Sequence, residues 1–193
     1  MVRHGQTAWS AAGRHTSRTD LGLAREGRDQ ALAVGRHLRG LRFARVWTSP
    51  LLRSRQTCDL AGFGRVAEVV DDLREWDYGE YEGRTTADIR RERPDWSIWR
   101  EGAPGGETPA QVACRADRVV ATVRQQPGDV LVFAHAHVLR VVAARWLGLA
   151  PEAGAWFVLD PATLSVLGWE REVPAVLQWN APPDTSGEVG ADR

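Results

Sequence analysis

Five side chains, far apart along the chain, have types that suit one reaction: Arg3, His4, Arg53, Glu75 and His135. Two histidines, two arginines and a carboxylate suit a phosphate dianion. Arginine stays charged and offers a planar fork of donors matching two phosphate oxygens, so Arg3 and Arg53 are candidates to hold the group. A neutral imidazole beside them is a competent nucleophile toward phosphorus, splitting hydrolysis into two easier steps through a phosphohistidine. His4, between Arg3 and Gly5, is placed for that, and Gly5 lets the backbone come close to the phosphate. The leaving alkoxide needs a proton, which Glu75 would supply as a general acid if partial burial raised its pKa. Arg55 competes with Arg53 for the pocket, because two residues apart on a helix they face different ways.

Composition removes other chemistries. All 25 basic residues are arginine. Without lysine there is no P-loop, no Schiff base and no Ser-Lys hydrolase; the arginine usage itself reads as codon bias. The net charge is zero, so no overall field draws the protein to nucleic acid or to an anionic membrane, and neither is an expected partner. His135 and His137 form an H-x-H pair without a third ligand at metal spacing, so no metal and no other cofactor is expected. Cys58 and Cys114 lack CxxC spacing and read as reduced core residues. No apolar run approaches the roughly 20 residues of a membrane span, and no signal-peptide pattern is present, which makes a soluble cytoplasmic protein the expectation. A homodimer is left open.

The elements that must position these side chains alternate as in an α/β fold. At 193 residues and 43% hydrophobic content, one domain over 1–180 is expected, with a disordered tail over 181–193 rich in Pro, Gly and charge. LAREGRDQALAVGRHLRG has helical periodicity, FARVWTS reads as a buried strand, and Pro50 opens a helix over LLRSRQTCDLAG. VAEVVDD reads as a third strand. Thr108, Pro109 and Gln111 form a capping-box start for a helix toward Val123. DVLVFA is the clearest strand and LRVVAARWLGL the clearest helix. Strands joined by helices imply a mostly parallel sheet between helical layers, a three-layer α/β/α sandwich. Ligands of such sheets bind at the carboxyl ends of the strands, where Arg3–Gly5, Ser49–Arg53, Glu75 and His135 all fall.

The ordered set RHGQT (3–7), SPLLRSRQT (49–57), LREWDYGEYEG (73–83), GGET (105–108) and AHAH (134–137) resembles the histidine phosphatase superfamily, also called the phosphoglycerate mutase-like family, over roughly residues 1–180. The resemblance implies that His4 is the phosphorylated histidine, that Arg3, Arg53 and His135 form the phosphate pocket, and that Glu75 is the proton donor. It also implies Gln6, Ser10 and Thr16 at the pocket rim, the Ala136 amide near the phosphate, and Arg53 in preference to Arg55. RHGQTAWSAAGRHTSRTDL, ATLSVLGWE and LQWN are similar to a phosphatase subgroup active on sugar phosphates and related metabolites. The implied partner is a small phosphorylated substrate.

Three departures qualify the resemblance. Ala136 stands where the family has glycine, and a positive φ there would cost alanine about 1 kcal/mol. Ser10 stands where asparagine is frequent. The first strand has two apolar residues where relatives have several, which a start upstream of Met1 would explain. Rival readings follow: a phosphoglycerate mutase, a noncatalytic phosphate-binding protein, and a metal hydrolase using His135 and His137. Against the mutase, GRTTADIRRERPDWSIWREGAPGG affords one short helix and a loop, too little to seal the site, with Arg84, Arg90, Arg91, Arg93 and Arg100 bordering an open mouth. Trp9, Trp96 and Trp99 are expected to line that mouth. Glu80 and Glu82 are expected as solvated charges, His15 as a loop residue and His37 on a helix surface.

Overall fold

The computed structural model describes residues 1–184. Six strands form one sheet: β1 (Val2–Arg3), β2 (Arg45–Thr48), β3 (Ala67–Val69), β4 (Val130–Ala134), β5 (Leu164–Glu170) and β6 (Val173–Ala181). Their order is β3-β2-β4-β1-β5-β6, with the first four parallel and β5 and β6 antiparallel. The helices are α1 (Ala8–Ala11), α2 (Arg25–His37), α3 (Leu52–Leu60), α4 (Thr86–Glu92), α5 (Ile98–Glu101), α6 (Pro109–Arg124) and α7 (Ala136–Trp146). Among the described residues no helix is long and apolar enough to cross a membrane.

Strand periodicity builds the three layers. Along β4, Leu131 and Phe133 enter the core shared with Val34 of α2, Leu38 just past it and Cys58 of α3, whereas Val132 and Ala134 enter the core shared with α6 and α7. Alternate residues therefore serve opposite faces, as the pleat requires. Both faces are covered, which is why VLVFA is a continuous apolar run. The α6 start is the reciprocal capping box expected at Thr108 and Gln111, with Pro109 at the first helical position.

The elements depart from their sequence expectations for local reasons. α3 begins two residues after Pro50, and its first amide, from Leu52, is capped by Asp20 Oδ1 at 2.7 Å from a distant loop. The third strand stops at Val69, and Asp71–Leu73 turn as a 3-10 helix. α7 begins three residues before LRVVAARWLGL. The segment 83–106 holds two short helices rather than one; a Thr85–Asp88 capping box starts α4, and Pro94 separates it from α5. Cys58 is buried as expected, but Cys114 is exposed. β6 ends at Ala181, and from 185 onward the expected tail lies outside the described residues.

Candidate active site

The carboxyl ends of β1, β2 and β4 meet at one edge of the sheet. Past β1, the His4 amide donates to Ala134 O (2.9 Å), so the RHG loop leaves the sheet directly beside β4. The loop is seated by backbone contact. A Cβ on Gly5 would lie 2.3 Å from Gly27 O, and one on Gly27 would lie 2.0 Å from Gln6 O, so the first turn of α2 touches the loop with no side chain between them. The Gly5 amide donates to Thr57 Oγ1 of α3 (3.0 Å).

This seating fixes the His4 ring. Its Nδ1 lies 2.7 Å from Gly5 O; a carbonyl only accepts, so Nδ1 carries the proton and Nε2 keeps a free lone pair. Burial, with the Arg53 and Arg3 charges, holds the His4 pKa down to about 3. The ring is a neutral nucleophile in resting protein. His135, at 0% exposure, stands 5.1 Å from it between ring centroids.

Arg53 is 1% exposed and donates to the carbonyls of Thr16 (2.9 Å) and Thr19 (3.5 Å), while Arg55 is exposed. Arg3 Nη1 donates to Leu159 O. His135 Nε2 meets Ser49 Oγ at 2.7 Å. Three buried side-chain nitrogens here have no partner among the described residues: Arg3 Nε, Arg53 Nε and His135 Nδ1. Unpaired buried donors are costly, and an anion carrying several acceptor oxygens satisfies all three at once.

Glu75 corrects a premise of the sequence reading. It is buried, and burial alone would push its pKa up. The His137 ring 3.8 Å away, His135 and the Trp76 amide instead hold the carboxyl well below the usual range. Its oxygens accept from the amides of Trp76 (2.9 Å), His137 (3.1 Å) and Val138 (2.9 Å), so Glu75 caps the N-terminus of α7 from outside the helix. In resting protein it is a carboxylate. This cap also explains why α7 starts at Ala136, which is not among the residues with positive φ. The alanine is therefore unstrained, and the reason for a noncatalytic reading at that position disappears.

Ser10, Thr16 and Ala136 line a pocket of about 400 Å³ with Arg3, His4 and Glu75. Gln6 lies outside that lining; its amide donates to Gln30 Oε1 (2.9 Å) and its carbonyl accepts from Ala24. Trp96 and Trp99 line the pocket, whereas Trp9 packs under Gly83. Glu82 is no solvated charge: it accepts from the Ser17 and Thr19 amides and thereby shapes the loop that holds Arg53. Glu80 is exposed. Of the five arginines expected at the mouth, Arg84, Arg91 and Arg93 pair with Glu92, Asp88 and Glu101, and Arg100 donates to Asp95 O. Only Arg90 lines the pocket.

Sequence reasoning missed several lining residues. His15 lies in a loop as expected but is buried against Tyr78 (4.6 Å between centroids), and burial lowers its pKa to about 4. His137 Nδ1 bonds Tyr78 Oη at 2.7 Å. Arg14 and Arg140 also face the cavity. The H-x-H spacing flagged His137 for metal chemistry; among the described residues no cluster of three or more His, Cys, Asp or Glu could hold a metal.

The histidine phosphatase superfamily (branch 1) family model matches residues 1–182. The chain belongs to the histidine phosphatase superfamily. This histidine phosphatase is 43% identical to an acid phosphatase of Mycobacterium tuberculosis over 177 residues, spanning 90% of this chain and 87% of that one. It is 40% identical to a sedoheptulose 1,7-bisphosphatase of Saccharomyces cerevisiae over 182 residues, 77% of this chain and 67% of the relative. A solved structure of the M. tuberculosis open reading frame Rv3214 superposes with a TM-score of 0.90 at 41% identity, covering 95% of this histidine phosphatase and 96% of that chain.

Proposed function

We propose that this histidine phosphatase is a metal-independent phosphomonoesterase, hydrolysing small phosphorylated metabolites such as sugar phosphates through a phosphohistidine on His4. The supporting observation is the set of partnerless nitrogens on Arg3, Arg53 and His135 beside a neutral His4. The phosphoryl oxygens take those donors, His4 Nε2 forms the N–P bond, and the bond from phosphorus to the leaving oxygen breaks. The leaving oxygen needs one proton. Glu75 is a carboxylate in free protein, so the proton enters with a substrate monoanion and passes by way of the carboxyl. In the second step Glu75 takes a proton from water as the water oxygen attacks phosphorus, His4 leaves as the neutral ring, and the proton passes from Glu75 to the departing phosphate, which restores the carboxylate. The open cavity beside α4 and α5 admits that water.

The test is to mix the enzyme with a 32P-labelled sugar phosphate, quench in alkali and look for acid-labile label on His4; His4→Ala must lose both the label and phosphate release. A parallel incubation with 3-phosphoglycerate and catalytic 2,3-bisphosphoglycerate follows isomerisation. Isomerisation outpacing phosphate release would make the protein a mutase.

A further inference from the structure

The strands on either side of β1 run on past it at the end of the sheet away from the active site. In register, Val2 stands opposite Phe133 and Arg3 opposite Ala134 of β4, and Val2 opposite Leu164 of β5. Among the described strands, Val130–Val132 pair only with β2, and Val166–Glu170 only with β6. Between these two stretches lies a cavity of about 610 Å³, reaching from Met1 to Asp129 and Gly168. Leu38 and Phe43 bound it on one face of the sheet, and Val119 and Val123 of α6 on the other.

The Met1 nitrogen shows what this cavity is shaped to take. It donates to Ser165 O (2.7 Å), and the Ser165 amide donates back to Met1 O (2.9 Å). That reciprocal pair is the bond pattern of two facing residues inside an antiparallel ladder, so the terminal nitrogen occupies the place of a peptide N–H. An ammonium there has three protons and, among the described residues, one acceptor, and burial lowers its pKa to about 5. A peptide amide would make the same bond with no charge to desolvate.

Continuing the register gives the chemistry of the occupant. The position before Met1 stands opposite Leu131 and Val166 and shares the face of Val2, which packs with Leu38. The position before that stands opposite Val130 and Leu167 and shares the face of Met1, which packs with Val119. Both faces are apolar, so successive positions must be apolar, as they are along β4.

We propose that β1 continues upstream of Met1, and that about two or three apolar residues encoded there, parallel to β4 and antiparallel to β5, fill this cavity and complete the central strand that carries Arg3 and His4. The cavity starts at the Met1 nitrogen and follows the line of β1, so a segment joined to that nitrogen enters with no loop to close. A strand from a second copy would have to end against the terminal amine.

The experiment compares the chain starting at Met1 with two versions lengthened by three residues ahead of it, one Leu-Val-Leu and one Asp-Ser-Asp. The apolar extension is expected to raise Tm by about 5 °C or more and to lower the fluorescence of an apolar dye bound by the folded protein, and the acidic extension to do neither. The intact mass of the protein isolated from its source should exceed that of the chain from Met1. Unchanged Tm with the apolar extension, equal gains from both extensions, or a natural protein that begins at Met1 or Val2 overturns the proposal. A dimer of the Met1 chain that the apolar extension dissolves, seen by sedimentation, assigns the cavity to a second copy and overturns it as well. The phosphatase reading stands or falls on its own tests, whichever result is found.

Discussion

The Ser49 hydroxyl lies 2.7 Å from His135 Nε2, with both residues fully buried, and this contact decides what the imidazole offers to a ligand. Ser49 Oγ accepts from the Leu51 amide (3.3 Å), and in the tautomer where its own proton goes to Nε2 the ring proton resides on Nδ1, the nitrogen without a partner. In the proposed mechanism this tautomer makes His135 a donor to phosphate, with Ser49 positioning it. Ser49→Ala should lower kcat/KM by about 10- to 100-fold, the range for disturbing one buried hydrogen bond to a charged group. In a His135→Ala background the same change should add little, because the two act as a unit. Independent, multiplying losses in steady-state assays would show that Ser49 does not act through His135.

The pH dependence follows from two depressed pKa values. His4 stays neutral down to about pH 3 and so imposes no acid limb above that. Glu75 is ionised in free enzyme, so the proton for the leaving group arrives on the substrate, whose phosphate has its second pKa near 6. For alkyl phosphates kcat/KM should therefore fall about tenfold per pH unit above about 6. Substrates with differing second pKa values should move this limb by the same amount. A limb that stays put across such a series belongs to the enzyme and contradicts the scheme.

Stability should fall with acidification. His4, His15 and His135 are buried with lowered pKa values, so below about pH 6.5 the unfolded chain binds protons that the folded chain refuses. Each such histidine contributes a loss of about 1.4 kcal/mol per pH unit on the way down to its folded pKa. Glu75 acts in the same direction at lower pH: its contribution is present above about 4.3 and is lost as pH falls through its depressed folded value. Urea unfolding at pH 6.5 and 5 should show a smaller difference in His15→Phe than in wild type. An unchanged difference would mean that His15 titrates freely in the folded protein.

Arg115 braces the Glu75 loop from the α6 side. Its guanidinium donates to Asp72 O (2.8 Å), Arg74 O (2.6 Å) and both Glu107 oxygens (2.9 and 3.0 Å), and Glu107 accepts from the Asp77 amide (2.9 Å). The loop is thus gripped on both sides of Glu75. Arg115→Met removes the donor to two carbonyls and leaves the Glu107 carboxylate with the Asp77 amide and no cation, which should cost about 2–4 kcal/mol and reduce kcat more than KM. Calorimetry and steady-state rates together check this; a loss of stability with kcat intact would confine Arg115 to folding.

Much of this architecture is legible in the sequence because single local rules dominate it. DVLVFA is apolar at every interior position because both sheet faces are covered, and Thr108-Pro109 with Gln111 leaves little freedom about where α6 begins. Arg3, His4, Arg53, Glu75 and His135 fall at strand ends and could be named from residue type. What stays hidden depends on partners distant in sequence. The charge state of Glu75 is set chiefly by the side chain of His137, 62 residues away, and the starts of α3 and α7 by Asp20 and Glu75. Which arginines remain unpaired is settled only once Glu92, Asp88 and Glu101 have claimed theirs. His15 is the loop residue it looked like, but nothing local announces that Tyr78 will cover it.

The reciprocal contact of Gly5 and Gly27 has a consequence for sequence variation. The Gly27 backbone occupies the space that a methyl group on Gly5 would need, and the backbone of Gln6, next to Gly5, occupies the space that one on Gly27 would need, so a side chain at either site has to displace the RHG loop or the start of α2. A library randomising only position 5, or only position 27, should return glycine alone among active clones. Escape requires concerted changes that lift the helix away from the loop, a path through less active intermediates. The two sites, 22 residues apart, therefore behave as a single evolutionary unit.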